Sequence, residues 1–155
     1  MNVYRIAFIG HRQILGQPHL EDRLECIIKE KLYSEEYVEL FVGRNGDFDI
    51  LVASAAKRAQ RAYGTSNSAL ILLQPYPCKN DLYYEKFYDE IQYPVCKGTH
   101  PKAAITKRNC WMIDRADLLV AYVERGRVGG AWTALRYAEK IGVKVKNLAS
   151  EATES

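Results

Sequence analysis

The chain has 155 residues, 48% of them hydrophobic and 26% charged, the proportions of one folded domain and not of a disordered segment. A domain of this length buries roughly 70% of its unfolded surface and needs no disulfide or metal staple, and no apolar run approaches the ~20 residues of a membrane-spanning helix. The 22 basic and 19 acidic side chains leave a formal charge of +3, which demands no polyanionic partner, although a local cluster can still hold a small anion.

Strand and helix signals alternate along the chain. Residues 3–9, Val-Tyr-Arg-Ile-Ala-Phe-Ile, form a short β-rich run that ends at Gly10. Over residues 19–33, Leu20, Leu24, Ile27, Ile28 and Leu32 recur at helical spacing behind Pro18. Residues 37–42 read as a second strand, closed by Gly43, and residues 48–63 as an alanine-rich helix, closed by Gly64. Residues 69–73, Ala-Leu-Ile-Leu-Leu, are a third strand, stopped by Gln-Pro-Tyr-Pro. The stretch 75–101 is less regular: a short tyrosine-rich helix is expected over Asp81–Ile91 and a loop over Pro94–Pro101. A helix over Ala103–Arg115, a strand over 117–123, a glycine loop over 124–130, a helix over Ala131–Lys140 and a last strand over Val143–Leu148 complete the domain, 1–148. The tail, 149–155, is expected to fray.

Helices between successive strands supply the long crossovers that parallel strands need, and the continuous apolar runs suit a sheet covered on both faces. Right-handed crossovers then point to an α/β, Rossmann-like three-layer sandwich with a mostly parallel five-stranded sheet in the order 3-2-1-4-5. In such a sheet ligands bind beyond the strand carboxyl ends, where the order reverses between strands 1 and 4.

Three loops leave that edge: Gly10-His11-Arg12, the segment Gly43-Arg44-Asn45-Gly46-Asp47-Phe48-Asp49, and the run from Glu124 through Gly129, Gly130, Ala131 and Trp132 to Thr133. A glycine pair at a helix start lets an anion approach unpaired N–H groups at the positive end of the helix dipole. Thr133 could add a hydroxyl, and Arg12, Arg44, Arg125 and Arg127 could each hold a phosphate through two hydrogen bonds. Plain alternatives stand beside each reading. The glycines serve tight turns, Asp47 and Asp49 are more often helix caps than metal ligands, His11 at a strand end is more often a hydrogen-bonding residue than a general base, and Trp111 and Trp132 suit the core, with base stacking an alternative for Trp132. Four separated cysteines, Cys26, Cys78, Cys96 and Cys110, lack the paired spacing of structural zinc sites. No metal or cofactor is expected beyond a bound nucleotide or phosphate. With no signal-peptide anatomy at the start, a cytoplasmic protein with reduced thiols is expected.

Four segments, Ile6-Ala-Phe-Ile-Gly-His-Arg12, Phe41-Val-Gly-Arg-Asn-Gly-Asp-Phe-Asp49, Asn109-Cys-Trp-Met-Ile-Asp-Arg-Ala-Asp117 and Gly129-Gly-Ala-Trp-Thr133, together resemble the SLOG superfamily over residues 3–148, nearest its YpsA-like branch. That superfamily has a Rossmann-like fold. It includes the Lonely Guy phosphoribohydrolases, which cleave nucleoside 5′-monophosphates, the DNA-processing protein DprA, and sensors of nucleotide-derived signals. The phosphoribohydrolases carry Met-x-x-Arg and then Pro-Gly-Gly-x-Gly-Thr-x-x-Glu. Met112-Ile-Asp-Arg115 matches the first, so the resemblance makes Arg115 a ribose- or phosphate-facing residue. The second is matched at Gly129, Gly130 and Thr133, but Trp132 stands at the third glycine and Arg136 at the glutamate tied to glycosidic cleavage.

The resemblance therefore implies a sensor or regulatory module that binds a nucleotide or nucleotide-derived phosphate, and by analogy a homo-oligomer. The alternative is a hydrolase acting on the N-glycosidic bond of a nucleoside 5′-monophosphate, with His11, Asp47, Asp49 or Glu139 supplying acid–base chemistry. A nucleic acid is not expected as a partner on the small net charge, and a membrane is not expected either. The expected ligand site comprises Gly10, His11, Arg12, Gly43, Arg44, Asn45, Gly46, Asp49, Arg115, Gly129, Gly130, Ala131, Trp132 and Thr133.

Overall fold

A computed structural model describes residues 1–64 and 66–152. Six strands form one sheet in the order β4-β3-β2-β1-β5-β6: β1 Val3–Gly10, β2 Tyr37–Val42, β3 Ser68–Leu73, β4 Glu90–Gln92, β5 Leu118–Tyr122 and β6 Lys144–Asn147. Every neighbouring pair is parallel. The helices are α1 Leu20–Ser34, α2 Asp47–Tyr63, α3 Asp81–Tyr84, α4 Pro101–Arg115, α5 Gly130–Ile141 and α6 Leu148–Ala152.

Alternation along each strand sends side chains to opposite faces, and the core divides accordingly. Ile6 and Phe8 of β1 join Leu24, Ile28, Val52 and Ala56 of α1 and α2 on one face. Ala7 and Ile9 join Met112, Ile113, Leu135 and Ala138 of α4 and α5 on the other. The sheet is thus the middle of three layers, and the reversal of strand order falls between β1 and β5.

The expected order 3-2-1-4-5 is present as β3-β2-β1-β5-β6, with β4 added outside β3. This corrects the helix expected over Asp81–Ile91, of which only Asp81–Tyr84 is helical. The backbone N–H of Asp89 donates to Leu70 O at 2.9 Å, and its carboxylate accepts from Leu70 N at 2.7 Å and from Gln60 Nε2 at 3.0 Å. Those bonds align residues 90–92 with the open edge of β3, where each strand-like residue gains a ladder partner that an exposed helix would not give it. Within the stretch expected to fray, residues 149–152 belong to α6. Leu148 is fully buried and opens α6, while residues 153–155 lie outside the described residues.

Cys26 lies in α1 and Cys110 in α4, and all four thiols are free. Among the described residues no helix is long and apolar enough to cross a membrane.

Candidate functional site

The site begins at the end of β1. A Cβ on Gly10 would stand 2.6 Å from Phe48 Cβ and closer still to its ring, so Gly10 is fixed by the packing of α2 against the strand. His11 follows, 6% exposed. Its N–H donates to Tyr122 O at 3.3 Å, and its Nε2 accepts the N–H of Glu124 at 2.9 Å. An accepting Nε2 belongs to a neutral ring whose proton sits on Nδ1. Burial pushes the His11 pKa down, the Arg127 charge adds to that, and Glu124 opposes it. His11 thus ties the loop after β1 to the loop after β5.

The loop after β2 is crossed by the chain at Arg12. A Cβ on Gly46 would lie 2.7 Å from Arg12 O and collide with Arg12 Cα, and Asp47 N donates to Arg12 O at 2.8 Å. The carboxylate of Asp47 accepts Ile14 N at 3.0 Å, and that of Asp49 accepts Asn45 N at 2.9 Å. The amino end of α2 is therefore already served by two carboxylates, which satisfy loop donors and offset the helix dipole. Burial pushes the Asp49 carboxyl up. The Asn45 hydrogen bond and the charges of Arg108, Arg12 and Arg44 pull the other way.

The amino end of α5 differs. No acidic residue lies in its first turn, and its N-cap, Gly129, has no side chain to satisfy a helix donor. A Cβ on Gly129 or Gly130 would meet nothing within 4 Å. Protein packing accounts for Gly10 and Gly46 but does not require a glycine at 130, where the space beside the start of α5 is open, while Gly129 holds a φ of 158°. The loop before it is pinned by Arg127, whose Nη2 donates to Gln13 O at 2.9 Å.

Opposite stands Arg108 of α4, only 3% exposed. Its Nη1 donates to Leu73 O at 3.1 Å and its Nε to Asn109 Oδ1 at 3.0 Å. Its Nη2 has no acceptor among the described residues. A Cβ on Gly43 would lie 2.6 Å from Nη1, so Gly43 exists to admit this guanidinium. Burial lowers the Arg108 pKa and Asp49 opposes that shift.

Together these groups enclose a cavity of about 350 Å³ at the carboxyl edge. Gly10, His11, Gly43, Asn45, Gly129, Gly130 and Ala131 line it, and its charged walls are Arg12, Arg108 and Arg127 against the single carboxylate of Asp49. Arg127 is partly engaged by Glu124 at 3.9 Å, but the cavity's walls still carry more guanidinium than carboxylate charge, and its volume is within the range of small-molecule sites.

Several residues expected at the site lie elsewhere. Arg115 is at the far end of α4, its guanidinium 3.8 Å over the Trp111 ring and its Nη1 donating to Trp111 O at 3.1 Å. A helix that packs antiparallel to the strands carries its last residue to the amino edge of the sheet, where nearby Asp117 meets Arg5. Arg44 turns away to donate to Tyr88 Oη at 3.0 Å and to cover the Tyr84 ring at 4.5 Å. Thr133 Oγ1 donates to Gly129 O within its own helix, and Trp132 packs half-buried against the core. Glu139 borders a separate surface depression with Arg136 on the outer face of α5. Arg108 and Asn109 were not singled out for the site from the sequence. The available signal was periodic: both share the inward stripe of Ala104, Met112 and Ile113, where a basic side chain needs a reason to be buried.

No protein-family model and no curated protein matches the chain. Solved structures do. DNA processing protein A from Helicobacter pylori, described for its unique single-stranded DNA binding mode, superposes with a TM-score of 0.62 at 18% identity, over 92% of this chain and 63% of that one. DNA processing protein A from Streptococcus pneumoniae gives 0.62 at 16% identity, over 92% and 49%. The chain thus spans about half to two thirds of the length of these proteins. The likeness corrects the expectation that set nucleic acid aside: a protein of this fold binds single-stranded DNA. Net charge was a poor guide because it sums over the whole surface, whereas phosphates are held by a local cluster and by helix amino ends. The chain thus has a Rossmann-like fold that it shares with DNA processing protein A.

Proposed function

We propose that the protein binds the phosphate of a nucleotide at the carboxyl edge of its sheet, on the open amino end of α5, and serves as a sensor or regulatory module. One observation carries this reading: Gly129 and Gly130, with open space at their Cβ positions, line one cavity together with the buried Arg108. The phosphate can belong to a free nucleotide or to one within a single strand, since both present the same oxygens to the site.

Hydrolysis of a nucleoside 5′-monophosphate has less support. The Nε2 lone pair of His11 is engaged by Glu124 N, the Asp47 and Asp49 carboxylates accept from Ile14 N and Asn45 N, and Glu139 is exposed outside the cavity.

Calorimetric titration with nucleoside 5′-monophosphates and with a short oligodeoxythymidylate tests the proposal and separates the two sources. Wild type is expected to bind at least one of them without releasing free base. Gly130→Glu, which places a carboxylate in open space at the helix end, is expected to weaken binding at least about tenfold with the fold retained. Unchanged affinity in Gly130→Glu would overturn the proposal.

A further inference from the structure

A second cavity, of about 200 Å³, adjoins the first, and Asn45 lines both. Its walls suit a flat, hydrogen-bonding ring. The guanidinium of Arg44 is held 4.5 Å over the Tyr84 ring and tied to Tyr88 Oη, so it presents a fixed planar cation. Tyr76, 43% exposed, supplies an aromatic face. Asn45, Gln74 and Asn80 place amide groups around the rim, and no acidic residue lines it.

The wall is also held in place before any ligand arrives. The carboxylate of Asp81, only 8% exposed, accepts from Gln74 Nε2 at 3.0 Å, Cys78 N at 2.9 Å and Tyr93 Oη at 2.6 Å. These three bonds fasten the segment bearing Tyr76 to the end of β3 and to the residue after β4. Gln74 Nε2 is spent on Asp81, which leaves Gln74 Oε1 to accept from a ligand.

We infer that this second cavity is the subsite for the heteroaromatic base of the nucleotide, with Tyr76 and the Arg44–Tyr84 pair as its stacking surfaces and Asn45 as the wall it shares with the phosphate cavity. The inference rests on the phosphate reading above. It explains why Arg44, placed by sequence beside the phosphate, turns toward the tyrosines: a guanidinium plane stacks on a base as readily as it binds an oxyanion.

Isothermal titration of the 155-residue chain with adenosine 5′-monophosphate, cytidine 5′-monophosphate and ribose 5-phosphate tests it. Ribose 5-phosphate carries the phosphate and sugar but no base. At least one nucleotide is expected to bind about tenfold or more tighter than ribose 5-phosphate. Tyr76→Ala should remove most of that advantage and leave ribose 5-phosphate binding unchanged, and Tyr76→Phe should retain it. Equal affinity for ribose 5-phosphate and both nucleotides would overturn the base subsite and leave the phosphate site standing. So would a Tyr76→Ala variant with full nucleotide preference, or one that weakens all three ligands alike. Failure of all three to bind would overturn the base subsite, and failure of the oligodeoxythymidylate as well would overturn the phosphate reading.

Discussion

Glycines at this sheet edge look alike in sequence but meet different surroundings. Gly10 faces the Phe48 side chain and Gly130 faces nothing within 4 Å. Gly10→Ala is therefore expected to cost about 1–3 kcal/mol or more by overpacking, whereas Gly130→Ala is expected to be neutral or to stabilise by up to ~1 kcal/mol through helix propensity. Urea unfolding of both variants checks the contrast, and equal losses would refute it. His11 gives a second residue-scale prediction. Its pKa is lowered in the folded state by burial, so the unfolded chain takes up a proton first. Its contribution is complete above the ordinary histidine value of about 6.5 and is lost as pH falls through the lower, folded value. Protonating Nε2 also removes the acceptor for Glu124 N. Wild type is expected to lose stability below about pH 6.5 by more than His11→Gln does. Parallel slopes in pH-dependent unfolding would contradict this.

At the scale of elements, most of the fold was legible because buried parallel strands and amphipathic helices carry long, regular signals. The six-residue strands 37–42 and 68–73 are apolar apart from Glu39 and Ser68, and α1 buries Leu20, Leu24, Ile28 and Leu32 at helical spacing. β4 was not legible. It has three residues, Glu90, Ile91 and Gln92, none fully buried, and its strand state is set by Asp89 bonding to Leu70 from a distant part of the chain. The site was legible in part. Glycine loops and a strand-order reversal pointed to the sheet edge where the cavity lies, but which arginine lines it depends on where a helix begins and on its direction relative to the sheet. Arg108 enters because it sits on the inward stripe of α4 near Gly43. Arg108→Ala is expected to leave Leu73 O without its donor, at a cost of about 1–3 kcal/mol, and to abolish phosphate binding. Arg108→Lys should recover part of the stability but little of the binding, since an ammonium lacks the planar fork. Denaturant unfolding and phosphate titration separate the two effects.

For the molecule as a whole, the decisive feature is that α4 runs from one edge of the sheet to the other. Its residues Arg108 and Arg115 are seven positions apart, about 10 Å along the helix axis, and this is enough to place one in the cavity and the other against Trp111 near the amino edge. The sequence motif Met112-Ile-Asp-Arg115 favoured the second, and the topology favours the first. A ligand that binds only the folded state raises stability by RT ln(1 + [L]/Kd), or about 2.7 kcal/mol at a hundredfold excess over Kd. In a domain of this size that corresponds to a rise in Tm of roughly 5–11 °C. Wild type and Arg115→Ala are both expected to show the full rise with a saturating nucleotide, and Arg108→Ala to show none. Under the proposed reading the rise should also shrink as salt is added, because Arg12 and Arg127 line the cavity and are not fully buried, so ions would screen their attraction for a phosphate. A thermal-shift series in the three proteins at two ionic strengths measures all of this. Loss of the shift in Arg115→Ala with retention in Arg108→Ala would move the ligand to the opposite edge of the sheet.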